Sequence, residues 1–238
     1  THVVVDPAPP TALSVILSTP GDRAILTVPG TIPTLEPAAV LAALTATGAA
    51  HLHVASYFLQ PALAAGLPDL LAAARERGVT VSLDTNWDPA ERWTGVADAL
   101  PLVDVLLPND SELRAIAAAA GVTGADDLAL ATGLARLGPR VVVKAGADGG
   151  WSVDPDGTVT RAPGLAVDVV DTTGAGDSFD AGYLAALAHG VADEQGRLRW
   201  ATAAGSLSTL GSGGTGRQAV LADLDAAGVP HVPGAAAR

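Results

Sequence analysis

The sequence predicts an α/β protein with a mostly parallel central sheet and helices on both of its faces. Three observations predict this. From residue 50 to 145, short β-branched runs alternate with stretches of helical period, a pattern that builds parallel strands joined by crossover helices. The chain has 238 residues, 49% of them apolar, enough for one sizeable buried core. Right-handed crossovers bring the loops after parallel strands to one sheet edge. Three such loops carry polar clusters: Asp84-Thr-Asn86, Pro108-Asn-Asp-Ser-Glu112 and Lys144-Ala-Gly146. A ligand site along that edge follows from topology.

In chain order, Val3–Val5, Ala12–Ser18 and Arg23–Val28 are β-rich between Pro and Gly-Asp turns and read as three short strands. Pro37–Ala46 reads as a helix opened by proline, and His51–Ala55 as a strand. Pro61–Arg77 has helical spacing of apolar residues and stops at Gly78. Thr80–Asp84 is a strand, Val96–Leu102 a short helix, and Val105–Leu107 a strand ending at Pro108-Asn109. Ser111–Ala120 and Asp126–Leu137 are helices, Arg140–Ala145 is a strand, and Trp151–Val153 with Thr158–Ala162 forms a hairpin. Ala175–His189, Glu194–Thr209 and Ala219–Ala227 are helices. No internal repeat or Gly/Ser linker divides the chain, so one domain over residues 1–238 is expected.

Composition excludes several functions. A net charge of −12 argues against nucleic-acid binding, which needs clustered Lys and Arg. With no cysteine, disulfides, thiolate zinc sites and cysteine nucleophiles are ruled out. No apolar run reaches the length of a membrane span, and the first residues lack a secretory pattern, so a cytoplasmic protein is expected. Arginine almost entirely replaces lysine. Lys144 is the single lysine and closes a run of valines. The sequence opens on Thr1 and contains no methionine, so a processed or partial chain is expected.

Val170-Asp-Thr-Thr-Gly-Ala-Gly-Asp-Ser-Phe179 carries the most chemistry. Gly174, Ala175 and Gly176 let the backbone turn tightly where a long apolar helix begins. The first amides of a helix have no intrahelical acceptor and carry the positive end of its dipole, a place for phosphate or a developing oxyanion. Asp177 falls in that first turn, where a carboxylate can take a proton from a hydroxyl nucleophile. Taken alone, the stretch fits equally a glycine-rich loop with an aspartate merely capping a helix. Asn109 and Glu112 can organise Mg²⁺ through water, or can belong to a helix cap with Asp110 or Ser111 as the capping residue. Lys144, with Gly146 and Gly149 after it, can meet a nucleotide phosphate or can be a strand-end lysine reaching solvent.

In that order the motifs resemble those of the ribokinase-like carbohydrate kinases, the PfkB family. Asp171-Thr-Thr-Gly-Ala-Gly-Asp-Ser-Phe-Asp-Ala-Gly182 is similar to the family's C-terminal signature, and Asp84-x-Asn86, Asn109-x-x-Glu112 and Val143-Lys-x-Gly-x-x-Gly149 resemble its other motifs. The resemblance implies a ribokinase-like three-layer α/β/α fold with a partial β lid at about residues 1–30. It implies ATP-dependent phosphorylation of a sugar hydroxyl, with ATP and Mg²⁺ required and K⁺ as a further cation. By the same resemblance Asp177 is the general base, and Gly174, Ala175, Gly176 and the Asp177 amide form an anion hole. Asn109 and Glu112 organise Mg²⁺, while Lys144, Gly146 and Gly149 lie along ATP. Asp171 and Thr173 hold a monovalent cation, Thr202 stands on the adenine side, and the Gly211–Gly216 loop closes over the nucleotide. A homodimer paired through lid strands is the family's habit. The family's opening strand, with its acidic and Gly-Gly-x-x-x-Asn sugar-binding residues, is not found, so a fold lacking its N-terminal part is expected. Two other readings stay open: a nucleoside kinase, with Tyr57 and Phe58 stacking a base, and an idle nucleotide-binding protein.

Other signals carry less. Gly211-Ser-Gly-Gly-Thr-Gly216 has the dinucleotide-binding string but follows a helix rather than a strand. His51 and His53 share a strand face as a metal pair or as packed histidines, without a third ligand. Trp87 and Trp93 can line a site or simply pack.

Overall fold

A computed structural model of the chain describes residues 3, 5–19 and 22–229. It divides into two compact units, Thr1–Val105 and Leu106–Arg238. The strand expected at Val3–Val5 is not formed at Val3 or Val5, and Val4 lies outside the described residues.

The first unit opens with β1 (Leu13–Thr19) and β2 (Asp22–Val28), an antiparallel ribbon in the register Leu13↔Val28 to Thr19↔Asp22. Ser14 and Thr27 hydroxyls lie 2.9 Å apart across it, and Leu13, Val15, Ile16, Leu17, Leu26 and Val28 are exposed. Helix α1 (Pro37–Thr47) starts at a proline and stops at Gly48 in a left-handed cap. Strand β3 (His51–Ala55) leads through a 3-10 turn at Tyr57–Leu59 into α2 (Pro61–Ala65) and α3 (Leu67–Glu76). The single helix expected over Pro61–Arg77 is therefore two. Gly66 leaves helical geometry (φ −119°) and Pro68 offers no N–H, so a second helix starts with proline in its first turn. Strand β4 (Thr80–Asp84) pairs in parallel with β3 from His51↔Thr80 to Ala55↔Asp84. Helix α4 (Val96–Ala99) continues as a 3-10 turn at Leu100–Leu102, where Pro101 interrupts it. The order within this unit is β3-β4-β5, and the two residues of β5 (Val105–Leu106) fall one on each side of the boundary. Leu67, Leu71, Val81, Val96 and Leu100 are fully buried and form the unit's core.

Tyr57, Phe58, Trp93 and Trp87 make a chain of edge-to-face contacts with ring centroids 4.9, 5.0 and 5.1 Å apart. Tyr57 is buried within it, so packing accounts for that residue. Asn86 takes a left-handed backbone (φ 53°), its N–H donating to Asp84 and its side-chain amide to the Ser56 hydroxyl, each at 3.1 Å.

The two strand histidines share the Ser82 hydroxyl: His51 Nε2 lies 2.8 Å from it and His53 Nδ1 2.7 Å. His51 Nδ1 lies 2.7 Å from the Thr80 hydroxyl. Burial pushes His51 below the ordinary 6.5 and outweighs the opposing pull of Asp104. The folded state thus favours the neutral ring. Its contribution to stability is complete above pH 6.5 and is lost as the pH falls through the lowered value. Urea unfolding midpoints are expected to drop between pH 7.5 and pH 5, and His51→Asn to flatten that slope. Parallel slopes for both proteins would refute this.

The second unit begins with α5 (Asp110–Ala119) and α6 (Asp127–Ala135), the latter capped by the Asp126 side chain. Strand β6 (Arg140–Lys144) has Val141, Val142 and Val143 buried, as a strand covered on both faces requires. It pairs antiparallel with β7 (Gly150–Val153), which pairs antiparallel with β8 (Val159–Ala162), giving the order β5-β6-β7-β8 here. Helices α7 (Ala175–Ala188), α8 (Glu194–Ser208) and α9 (Leu221–Ala226) follow. α7 and α8 cross closely because Gly182 has no side chain: a Cβ there would meet the Trp200 carbonyl oxygen at 2.7 Å. A partly buried network ties β6 to both helices. Arg140 pairs with Asp154 and, at 3.1 Å, with Glu194, whose carboxylate also accepts from the Tyr183 hydroxyl at 3.0 Å. Among the described residues no helix is long and apolar enough to cross a membrane.

Candidate functional site

All twelve candidate site residues fall in the second unit. Gly174 caps α7 in the left-handed conformation (φ 75°, ψ 7°), which glycine adopts without strain. Its bare Cα lets Gly214 approach: a Cβ at Gly174 would lie 2.9 Å from the Gly214 Cα and carbonyl oxygen. The Ala175 N–H donates to the Thr172 carbonyl at 3.2 Å. Ser178 returns to Gly174 at 2.9 Å, beginning the helical ladder. Among the described residues no acceptor takes the N–H groups of Gly174, Gly176 or Asp177. The tip of α7 therefore presents bare amides together with the positive end of a 14-residue helix.

Asp177 is exposed in the first turn of α7, and its carboxylate has no hydrogen bond or ion pair among the described residues. Such a group is available to a hydroxyl arriving from solvent. Three residues on, Asp180 is buried and accepts from the Lys144 ammonium at 3.1 Å. The lysine stem crosses the helix tip, its Cδ 3.7 Å and its Nζ 3.9 Å from where a Cβ on Gly176 would stand. The lysine is thus folded back onto α7 rather than reaching solvent.

Lys144 stands at the lip of a cavity of about 480 Å³, a volume suited to a small-molecule ligand. Gly146 and Gly149 line it beside the strand end, Ala175, Gly176 and Phe179 line it from α7, and Thr202, Gly205, Ser206 and Thr209 line it from α8. A further wall comes from the segment Gly164–Val169, outside any helix or strand and held by the Leu165 N–H on the Ser206 hydroxyl at 3.0 Å. Thr202 is buried, its hydroxyl donating to the Arg199 carbonyl at 3.3 Å.

Asn109 and Glu112 make a reciprocal capping box on α5. The Glu112 N–H donates to Asn109 Oδ1, and the Asn109 N–H to Glu112 Oε2, both at 2.9 Å. The cap is thus Asn109, not Asp110 or Ser111. The pair stays beside the lysine strand, since Asn109 bridges in parallel to Lys144 and the Lys144 N–H donates to the Pro108 carbonyl at 2.9 Å. Asp171 works as a clamp, with one oxygen 2.9 Å from the Thr173 N–H and the other 2.8 Å from the Gly213 N–H. It thereby pins the Gly211–Gly216 loop against the turn before α7.

The structure therefore gathers Lys144, Gly146, Gly149, Ala175, Gly176 and Thr202 on one cavity, with Asp177 next in chain to its rim. Asn109, Glu112, Asp171, Thr173 and Gly174 are not part of its lining. Sequence reasoning missed the partner of Lys144, Asp180, and the Gly164–Val169 wall. The only available signal for Asp180 was a second acidic residue on the same helix.

The model of the pfkB family carbohydrate kinases matches residues 1–219. An ATP-dependent ribose-1-phosphate kinase from Halopiger xanaduensis is 40% identical over 165 residues, covering 67% of this chain and 51% of that protein. The chain spans about half the length of the curated relatives it matches first. Among solved structures, an E. coli protein in complex with ATP and Mg²⁺ superposes with a TM-score of 0.79 at 20% identity, covering 92% of this chain and 71% of its own. A Vibrio cholerae fructokinase bound to fructose, ADP and calcium gives 0.73 at 27% identity, covering 93% and 74%.

Proposed function

The chain belongs to the pfkB family of carbohydrate kinases and has the ribokinase-like three-layer α/β/α fold, and from that premise we propose that it transfers the γ-phosphoryl group of ATP to a hydroxyl of a sugar. The observation carrying the proposal is the tip of α7. There the bare amide of Gly176 and the side chain of Lys144 line a cavity large enough for a nucleotide, and Asp177, next in the same helical turn, keeps an uncommitted, exposed carboxylate.

In this reading the nucleotide base lies in the cavity between Thr202 on α8 and the Gly164–Val169 wall, with Gly146 and Gly149 along it. The amides of Gly176 and Asp177 donate to the phosphoryl oxygens, where charge grows in the transition state. Asp177 accepts the proton of the sugar hydroxyl as that oxygen bonds to the γ-phosphorus and the bond to the β-phosphate oxygen breaks. Among the described residues no group of three or more His, Asp or Glu forms a metal cage. That suits Mg²⁺, which binds through the nucleotide's phosphates and one or two water-bridged protein groups, here Asn109 and Glu112. When bound, the cation neutralises charge on the phosphates. Asp171 and Thr173 are assigned to a monovalent cation at the turn before α7. The β1–β2 ribbon is read as part of a partial β lid, residues 1–238 as one kinase domain, and the protein as cytoplasmic. An ADP-release assay with sugars, sugar phosphates and nucleosides, with and without EDTA, tests the proposal. EDTA-sensitive release with a sugar-class acceptor is expected. Release with nucleosides alone moves the assignment to a nucleoside kinase, and no acceptor-dependent release rejects it.

A further inference from the structure

We propose that Asp180 is the positioning residue for Lys144, holding its ammonium across the glycine tip of α7 where a nucleotide phosphate arrives. This rests on the kinase reading above and deepens it. The two side chains are almost out of solvent, 11% exposed for Lys144 and 3% for Asp180, and their charged atoms are 3.1 Å apart. A carboxylate that deep is tolerated when it is paired, and removing one partner leaves a costly buried charge.

The location makes the pair more than packing. The lysine Nζ lies 3.9 Å from the Cβ position of Gly176, beside the bare amides of the helix tip. Those amides and an ammonium carry the same sign, so a lysine left alone there is pushed outward, and its long flexible stem lets it go. Asp180, one turn inside α7, offsets that repulsion. It fixes the stem along Gly176 and keeps the ammonium on the cavity rim. An ammonium has three donors, so a bond to Asp180 is compatible with one to a phosphate oxygen. The two aspartates of this helix then divide the work: the exposed Asp177 handles the proton, and the buried Asp180 aims the cation.

ADP·Mg²⁺ binding to the purified protein by calorimetry tests this in a double-mutant cycle of Asp180→Asn and Lys144→Met. Each single change is expected to weaken ADP about tenfold, and the double variant to match Lys144→Met within about twofold, because a positioning role reaches the nucleotide through Lys144. In turnover, KM for ATP rises more than kcat falls. Asp180→Glu, which keeps the carboxylate, recovers most of the affinity. Should Asp180→Asn not fold, Lys144→Met/Asp180→Leu replaces the buried pair by apolar groups and is expected to bind ADP as Lys144→Met does. Additive losses overturn the proposal, as does a lowered melting temperature with unchanged ADP affinity. A wild type that binds no nucleotide overturns this inference together with the kinase reading. Nucleotide binding and turnover with an additive cycle overturn this inference alone.

Discussion

Asp177→Asn is expected to lower acceptor-dependent ADP release by about 10²- to 10⁴-fold, the range for losing a general base, while leaving ADP affinity within about twofold. Asparagine keeps the shape of the side chain and cannot take a proton from a hydroxyl. Folding has little stake in the carboxylate: it is exposed and makes no hydrogen bond or ion pair among the described residues. The competing role is electrostatic, an acidic group in the first turn of α7 facing the positive helix end, worth about 0.3–1 kcal/mol. That role predicts a small drop in melting temperature with full activity. The catalytic role predicts the reverse, so steady-state rates and a thermal melt of one variant separate them. Turnover at the wild-type rate would remove Asp177 from the mechanism.

The motif around Asp177 was legible because glycines and a long apolar helix are both local signals, and their junction is a helix N-terminus whatever the rest of the chain does. β3 and β4 were equally legible, since His51–Ala55 and Thr80–Asp84 end at turn residues on both sides. What failed needed geometry. Pro68 read as an interior residue of one helix, and only the turn at Gly66 shows that it opens a second. Asn109, Asp110 and Ser111 are all good caps by residue type, and the direction of the backbone selects Asn109. Lys144 and Asp180 are 36 residues apart on different elements, so no periodicity joins them. Gly164–Val169 has neither helical nor strand alternation, so its place as a cavity wall left no trace in the pattern. By residue type and spacing Gly146 and Gly149 are indistinguishable as expected nucleotide contacts. The structure gives them different backbone environments.

That difference makes a second large effect calculable. Gly149 has φ 93° and ψ −118°, a conformation costing an L residue about 1–3 kcal/mol. A Cβ there would also stand 2.3 Å from the Ala162 carbonyl oxygen and the Gly164 N, and 2.5 Å from the Pro163 carbonyl carbon. These are backbone atoms and cannot swing aside as a side-chain end can. Either the turn at Gly149 or the chain after β8 has to move. The turn is held by the Ala145 N–H on the Gly149 carbonyl at 2.9 Å, and the Gly149 N–H on Gly146 at 3.1 Å. Gly149→Ala is therefore expected to destabilise by about 3 kcal/mol or more, strain and displacement together, lowering the melting temperature by roughly 6–12 °C. Because Gly164 lines the cavity, ADP affinity should fall as well. Gly146→Ala is the matched control. Its φ is 56°, and nothing stands within 4 Å of its Cβ position, so left-handed strain of about 1–2 kcal/mol is its whole cost. Urea unfolding of the two variants side by side measures the gap. Equal destabilisation would mean that the close approach between the Gly149 turn and the Ala162–Gly164 segment does not exist, and with it would go this wall of the cavity.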